Sequence, residues 1–530
     1  MISDGKSLIA GSQIEADICI VGAGPAGIVL ALELEPFFSK IVLVESGSDH
    51  YVDKTQQLYQ AESFPEHFPD PLISRLRFLG GASNHWANNT SPLSPIDFEY
   101  RNWIPNSGWP ISFDDIEPYY YKASTYCGVG NDGFLPDKWM KKYHQKDWGI
   151  QGSALEIGIA KAAQPPTNFY LSNATQLINS SKIHLIKNAN LVDMEYSLEN
   201  KKVSNLSFNA LQADNFSVSA NDFVLCLGGI ENARMLLFFN DKYQNKLGNI
   251  TGNVGRYFMD HPTVKGAQLF SNSLSDFPLF SGVNEYDRRI LSYFQLSERS
   301  LKDNLTTNLR LPLVKSTEYM LSDGISSFHI LKDALQEGEF PDQLPDHLLN
   351  FVLDFDMVAE AISRKSFDHS LFDSSKQMAG FQIPMMIEQT PHRDNKICLG
   401  NEVDVFGIPK INIHWELKSS DINNIWKSLT IFANEVGTNS IGRVRLLKER
   451  SERIFNDQIG FGNHHMGTTR MANNETDGVV DKNHKVFGTE NLYIGGSSVF
   501  PTGGHVPPTL TIVSLSIRLA KLLKVKYFGK

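Results

Sequence analysis

The sequence predicts an α/β fold built on a buried parallel sheet, and three observations carry that prediction. A short β-branched run, Asp17–Val21, leads into a glycine-spaced turn, an apolar helix start at Ile28–Leu34 and a second buried run, "KIVLVES", that closes on Glu45. A third apolar run, "FVLCLGG" from Phe223, again ends in glycines. Near the C-terminus, "TLTIVSLSIRLAKLL" spaces its apolar residues at the helical period and finishes in lysines, as a helix C-terminus favours.

The first of these elements is also a binding motif. Gly22, Gly24 and Gly27 stand in G-x-G-x-x-G order between a strand and a helix, and an acid, Glu45, follows about 20 residues on. Glycines there allow a tight turn and a close approach of pyrophosphate, and the helix N-terminus offers free N–H groups and a positive dipole end. Glu45 can accept from a ribose diol and would repel a 2′-phosphate, so NADP is disfavoured. The fingerprint by itself does not separate FAD from NAD.

Bulk properties bound the rest. A chain of 530 residues is expected to hold two to four domains. Its net charge of −10, with no basic block, argues against nucleic acid and anionic membranes as partners. The most apolar stretch, 18–34, is broken by Gly22, Gly24, Pro25 and Gly27, so no membrane span is expected. The N-terminus carries early acids and no apolar core, unlike a secretory signal. Cys19, Cys127, Cys226 and Cys398 are widely spaced; they fit buried thiols of a cytoplasmic protein, and no metal site is expected. Residues 266 to about 454 carry more charged runs, and alternation in "NKICLG" and "PKINIHWEL" predicts strands at 396–400 and 410–416.

Five further stretches, taken in order, give the chain a family likeness: "LGGASNHW" (79–86), "FVLCLGGIENARMLL" (223–237), "VGRYFMDHP" (254–262), "HHMGTTRM" (464–471) and "NLYIGGSSVFPTGGHVPPTLTIVSLSIRLAKLL" (491–523). Together they resemble the glucose–methanol–choline (GMC) family of flavin oxidoreductases, in wording similar to its bacterial sugar and polyol members and its pyranose-oxidase-like branch. The resemblance implies FAD as cofactor. It also implies an α/β architecture of the GMC/p-hydroxybenzoate hydroxylase-like kind: a discontinuous Rossmann-like FAD-binding domain, expected at 1–110, 160–265 and 455–530, and a substrate domain with a mainly antiparallel β-sheet and covering helices, expected at 111–159 and 266–454.

The same resemblance assigns roles. Gly80, Gly81, Ser83, Asn84, His85 and Trp86 would lie along the flavin, as would Gly228, Gly496 and Ser497, with Pro508 and Thr509 opening a helix beside the ring. His85-Trp86 matches the pair of the pyranose-oxidase branch in which the histidine bonds the flavin 8α-methyl; the alternative is a histidine packed against a noncovalent flavin. His464 takes the position of the family's base and His465 that of a supporting donor. The second catalytic residue, an asparagine or histidine just before Pro-Thr, is replaced here by Pro507, which has neither a side-chain donor nor an N–H. Three readings answer that departure. His505 takes the vacant role; or His464 works with His465 or a water; or the chemistry is redox-neutral acid–base work of a lyase or isomerase kind.

The reaction the resemblance implies is hydride transfer from an alcohol, sugar or glycoside-like substrate to FAD, followed by reoxidation by dioxygen, a quinone or a cytochrome. A natural-product tailoring enzyme and an inactive flavin-binding subunit are the remaining alternatives. Among softer candidates, Glu388 and Gln389 line the substrate face or are ordinary strand residues, Arg234 pairs within the fold, and Asp260-His261-Pro262 forms a turn supporting the site.

Overall fold

The computed structural model describes residues 1–529 other than 66–67, 151, 212–214, 272–273, 317–321, 339, 356, 360–361, 363–378, 449–450 and 457. Gln13–Val21 runs parallel to Ile41–Val44 on one side and to Asn215–Leu225 on the other. The ladder continues through Ile183–Lys187 to Ile2–Asp4, all parallel. Helices cover this part of the sheet, so Ile18, Cys19, Ile20 and the whole of Ile41–Val44 are buried, and the strands read as continuous apolar runs. Asn215–Leu225 is shared: its first half carries the antiparallel hairpin of Asn190–Ser197 and Lys202–Asn209, and its second half pairs in parallel with Leu492–Ile494. That last pairing returns the C-terminal segment to the mouth of the sheet. From there the helix Thr509–Phe528 packs against Pro25–Leu34.

A second sheet is antiparallel. Pro262–Ser271 lies between Ala379–Ile387 and Arg443–Leu446, and Leu309–Arg310 extends the far side of Ala379–Ile387. The helix Ser419–Thr438 covers it, presenting Trp426, Leu429, Phe432 and Val436 at helical spacing to Val264, Leu269, Ile383 and Met385. A separate core surrounds the parallel sheet. Leu155–Ala163 pairs along its length with Arg288–Leu296, so this strand crosses the position where a domain boundary was expected.

The strands expected at 396–400 and 410–416 are present as Lys396–Val403 and Pro409–His414, an antiparallel pair. They form their own small sheet with Ala61–Phe64. Ile397, Ile411, Ile413 and Trp415 turn their apolar face onto Ile230 and Phe258, which attaches this hairpin to the helix Gly228–Lys242. Arg234, on that helix, pairs with Glu231 and Asp404 and so works within the fold.

Candidate active site

A cavity of about 540 Å³ opens where the strands of the parallel sheet end and the antiparallel sheet faces them. The volume falls within the usual range for small-molecule sites. One wall is the glycine turn. Gly22, at φ 105°, would place a Cβ 2.5 Å from the Cys226 carbonyl oxygen. Gly27 sits behind the cavity, where a Cβ would stand 1.9 Å from the Gly22 oxygen, and so lets the helix close onto the turn. Gly24 and Gly228 have open space in front of them, and both line the cavity. Any side chain at those two positions would fill room that a ligand backbone or phosphate needs. The helix Pro25–Leu34 has no side-chain cap, so its first N–H groups are free for an anion.

Glu45 closes this wall. Its Oε2 accepts from the Ala23 amide at 2.8 Å and its Oε1 from the Gly47 amide at 2.9 Å. The carboxylate thus ties the glycine turn to the end of the second strand while lining the cavity. Arg75 and Arg77 line the same end, both paired with Glu231 and both lying over the Tyr59 ring. The cluster's one signal in the sequence is the pair Arg75 and Arg77, a few residues before the glycines at 80–81.

The segment Gly81–Asn84 is a single 3-10 turn. Ser83 donates to the Gly80 carbonyl at 2.6 Å, and Asn84 donates to the carbonyls of Leu79 and Gly81. Ser83 and Gly81 border the cavity, whereas Gly80 and Asn84 hold the loop's shape from behind. Trp86 donates from Nε1 to the Thr167 carbonyl at 2.7 Å and packs on Phe169. His85, between these anchors, faces the cavity, and partial burial pushes its pKa below the ordinary histidine value.

The segment "HHMGTTRM" is clamped from three sides. Met466 and Met259 exchange backbone hydrogen bonds at 2.9 and 3.0 Å. Gly467, at φ 89°, passes so close to Tyr257 that a Cβ would meet its carbonyl oxygen at 2.3 Å. Ser497 donates to the His465 carbonyl and Thr468 to that of Gly229. Gly496, Ser497, Pro507, Pro508 and Thr509 complete the wall, with Thr509 opening the C-terminal helix.

His464 and His465 both line the cavity. The Nδ1 atoms of His261 and His464 are 2.9 Å apart, and His261 Nε2 is 3.0 Å from the Gly504 carbonyl oxygen. A carbonyl only accepts, so His261 carries its proton on Nε2. Burial depresses the pKa of His261 to about 4 and that of His464 well below 6.5, so both rings are neutral at pH 7. His261 Nδ1 is therefore the acceptor and His464 Nδ1–H the donor. The lone pair of His464 is left on Nε2, the nitrogen free to act as a base. Asp260 supports the pair from below: its Oδ1 accepts the backbone N–H groups of His261 and His464 at 2.6 and 2.7 Å. Asp260 is fully buried, and desolvation raises its pKa to about 6.

The other histidines stand apart from this pair. His465 is buried with a pKa near 3, and its Nε2 lies 4.0 Å from Asp260 Oδ2. His505 does not border the cavity; it is fully buried, with Nε2 2.9 Å from Gln295 Oε1 and a pKa of about 3 set chiefly by burial. Glu388 and Gln389 also lie behind the wall. Glu388 is bound by both terminal nitrogens of Arg101, at 3.1 and 2.5 Å, and Gln389 accepts from the Asp260 amide and from Trp415. From the antiparallel sheet come Arg310 and Met386, directly paired across adjacent strands. The only sign of Arg310 in the sequence was an arginine inside the apolar run "NLRLPL".

Residues 391–516 match the family model for GMC oxidoreductase. The chain is 22% identical to the fructose dehydrogenase large subunit of Gluconobacter japonicus, over 97% of this chain and 98% of the relative. It is likewise 22% identical to 2-methyl-1,2-propanediol dehydrogenase of Mycolicibacterium austroafricanum, over 97% and 96%. Among solved structures, formate oxidase superposes with a TM-score of 0.58 at 15% identity, covering 98% of this chain and 99% of that one. Pyridoxine 4-oxidase from Mesorbium loti gives 0.56 at 15% identity, over 96% and 99%. The solved structures share the mixed α/β fold along nearly the whole chain, and the family-model match lies in its C-terminal part.

Proposed function

We propose that this chain is a GMC oxidoreductase that binds FAD along the cavity and oxidises the carbinol carbon of an alcohol or sugar, with His464 as the base. The observation that carries the reading is the His261–His464 hydrogen bond, which leaves His464 Nε2 unprotonated in a cavity whose glycine turn suits a dinucleotide. FAD fits the residues present: Gly24 and Gly228 keep space clear, the helix at Pro25 offers free amides, and Glu45 has lone pairs left for a ribose. Gly22, Gly24, Glu45, Gly81, Ser83, His85, Gly228, Gly496, Ser497 and Thr509 would hold it, and when bound it supplies the hydride acceptor.

The protein's own part is proton transfer and positioning. His464 Nε2 takes the hydroxyl proton as the hydride leaves carbon. His261 accepts from Nδ1 and keeps the ring in that tautomer. Burial keeps both imidazoles neutral, which a base needs before the step. Arg310 and Met386 form the opposite wall, where a substrate would rest. The FAD-binding domain is proposed at 1–110, 160–265 and 455–530, with the strand Leu155–Ala163 spanning its boundary at 160, and the compartment as cytoplasmic and reducing. The electron acceptor is dioxygen, a quinone or a cytochrome.

Anaerobic mixing with a panel of polyols, sugars and their acids tests this. The oxidised-flavin absorbance should bleach with at least one of them. His464→Ala should slow bleaching by about 10²–10⁴-fold while retaining FAD. A colourless protein that refuses FAD, or an H464A variant reduced as fast as the parent, sinks the reading. Acid precipitation separates the two roles of His85: yellow supernatant makes it a packing neighbour, a yellow pellet an 8α ligand.

A second reading is favoured by one observation. Pro507 borders the cavity where the family places a donor, which suits a redox-neutral flavoprotein with His464 in acid–base work. A panel that leaves the flavin oxidised while product still forms would select it.

A further inference from the structure

We propose that Arg310 seats a carboxylate, so that the substrate of this oxidoreductase is a hydroxyl compound that also carries an acid group. This rests on the cavity's being the substrate site, as read above, and adds the chemistry of what enters it.

Arg310 is 5% exposed and lines the cavity. It belongs to the antiparallel sheet, the wall opposite the glycine turn and the helix N-terminus that suit the dinucleotide phosphates. Its neighbours are uncharged. Nη2 donates to Asn89 Oδ1 at 3.1 Å, the guanidinium lies 4.7 Å from the Tyr293 ring centroid, and Nε has no hydrogen-bond partner among the described residues. No carboxylate of the described residues forms an ion pair with it. The arginines flanking the site are matched differently: Arg75 and Arg77 to Glu231, and Arg101 to Glu388.

A buried cation without a counter-charge is costly, and the cost is relieved when an anion joins it. The guanidinium fork matches a carboxylate in two parallel hydrogen bonds, better than it matches a hydroxyl, which leaves the charge uncompensated. A single unmatched cation at this wall fits a monoanion, which favours a carboxylate over a phosphate. Asn89 holds the fork in place through Nη2. Arg310 and His464 line the same cavity, and the guanidinium adds to the burial that lowers the pKa of His464, His261 and His505. The acid group and the reacting hydroxyl would then belong to one small molecule.

The test is calorimetric titration of the holoenzyme with benzoate, benzamide and inorganic phosphate. Benzoate should bind about tenfold or more tighter than benzamide, and tighter than phosphate. Arg310→Gln should erase the benzoate preference. Asn89→Asp should erase it too, by placing a carboxylate against Nη2 while leaving the arginine in place; this second variant covers the case in which R310Q does not fold. Equal binding of benzoate and benzamide, a preference that survives both variants, or phosphate binding tighter than benzoate would overturn the proposal. Binding needs no turnover, so the two readings fail separately. Bleaching by neutral alcohols with no benzoate preference removes this inference and keeps the oxidation. Arg310-dependent benzoate binding with no bleaching by any hydroxy compound keeps this inference and removes the oxidation.

Discussion

His261 Nδ1 lies 2.9 Å from His464 Nδ1, and the Gly504 carbonyl on the far side of His261 decides which of the two rings donates. The chain of acceptor, ring and ring fixes a tautomer without a carboxylate on either imidazole; Asp260 holds only the backbone N–H groups of the two histidines. It resembles the logic by which a buried group orients a catalytic imidazole in hydrolases, with a neutral ring in place of the acid.

His261→Phe should therefore slow flavin reduction by about 10–100-fold, the usual effect of losing an orienting partner. His464 would then be free to carry its proton on either nitrogen. His261→Gln, which can still offer an amide oxygen to His464 Nδ1, should recover part of the rate. Stopped-flow reduction at fixed substrate separates the two variants. In the parent the acid limb of kcat/KM should lie well below pH 6.5, because burial first, and then the neighbouring histidines, hold His464 unprotonated. Equal rates for H261F and H261Q would leave His261 with packing alone.

Pro507 gives the next expectation. It borders the cavity and cannot donate, and the residue after it is also proline, which restricts it to extended backbone that asparagine adopts without strain. Pro507→Asn should restore the missing donor and raise the reduction rate, by up to about 10²-fold if nothing else now fills the role. A flat rate would mean that the substrate oxygen is already held by another donor of the cavity wall, such as Arg310.

Glu45 can be tested through cofactor affinity. Its two oxygens accept from the amides of Ala23 and Gly47, so the carboxylate both shapes the turn and faces the cavity. Glu45→Gln turns one acceptor into a donor that meets a backbone N–H. FAD dissociation, followed by flavin fluorescence, should rise by about 10–100-fold in Kd. An unchanged Kd would confine Glu45 to a structural role outside cofactor binding.

What the sequence made legible follows from how local each signal is. The glycine turn, the strand expected at 17–21 and the C-terminal helix depend on neighbours within a few residues; all three are present, the strand beginning earlier, as Gln13–Val21. Alternation predicted strands at 396–400 and 410–416, found as Lys396–Val403 and Pro409–His414, but their attachment to Ile230 and Phe258 depends on contacts far away in the chain. The same holds for the site. His464 could be read from its motif, while its partner His261 lies 203 residues away and looked like a turn residue. His505 sat next to two glycines and looked free, yet Gln295 holds it in a buried position. Arg310 carries no motif; only the third dimension reveals that it lacks a counter-charge.

Acid should destabilise this protein steeply, and His484 isolates the cause. It is fully buried outside the cavity wall, donates from Nδ1 to the Ile494 carbonyl at 3.0 Å, and burial, with Arg518 next, lowers its pKa to about 3. Unfolded, its pKa returns to about 6.5. Between those values the unfolded chain binds a proton that the folded chain does not, so stability is fully present above pH 6.5 and falls as pH drops toward 3. The slope is about 1.4 kcal/mol per pH unit for each such histidine. His465 and His505 titrate in the same window, near 3, and add to it. His484→Gln keeps an amide donor for Ile494 and removes the titration, so its chemical-denaturation stability between pH 6 and 4.5 should fall less steeply than the parent's, by about one histidine's slope. Parallel lines for the two proteins would show that His484 is as protonated in the folded state as in the unfolded one, and the burial argument applied to His464 would lose its closest control.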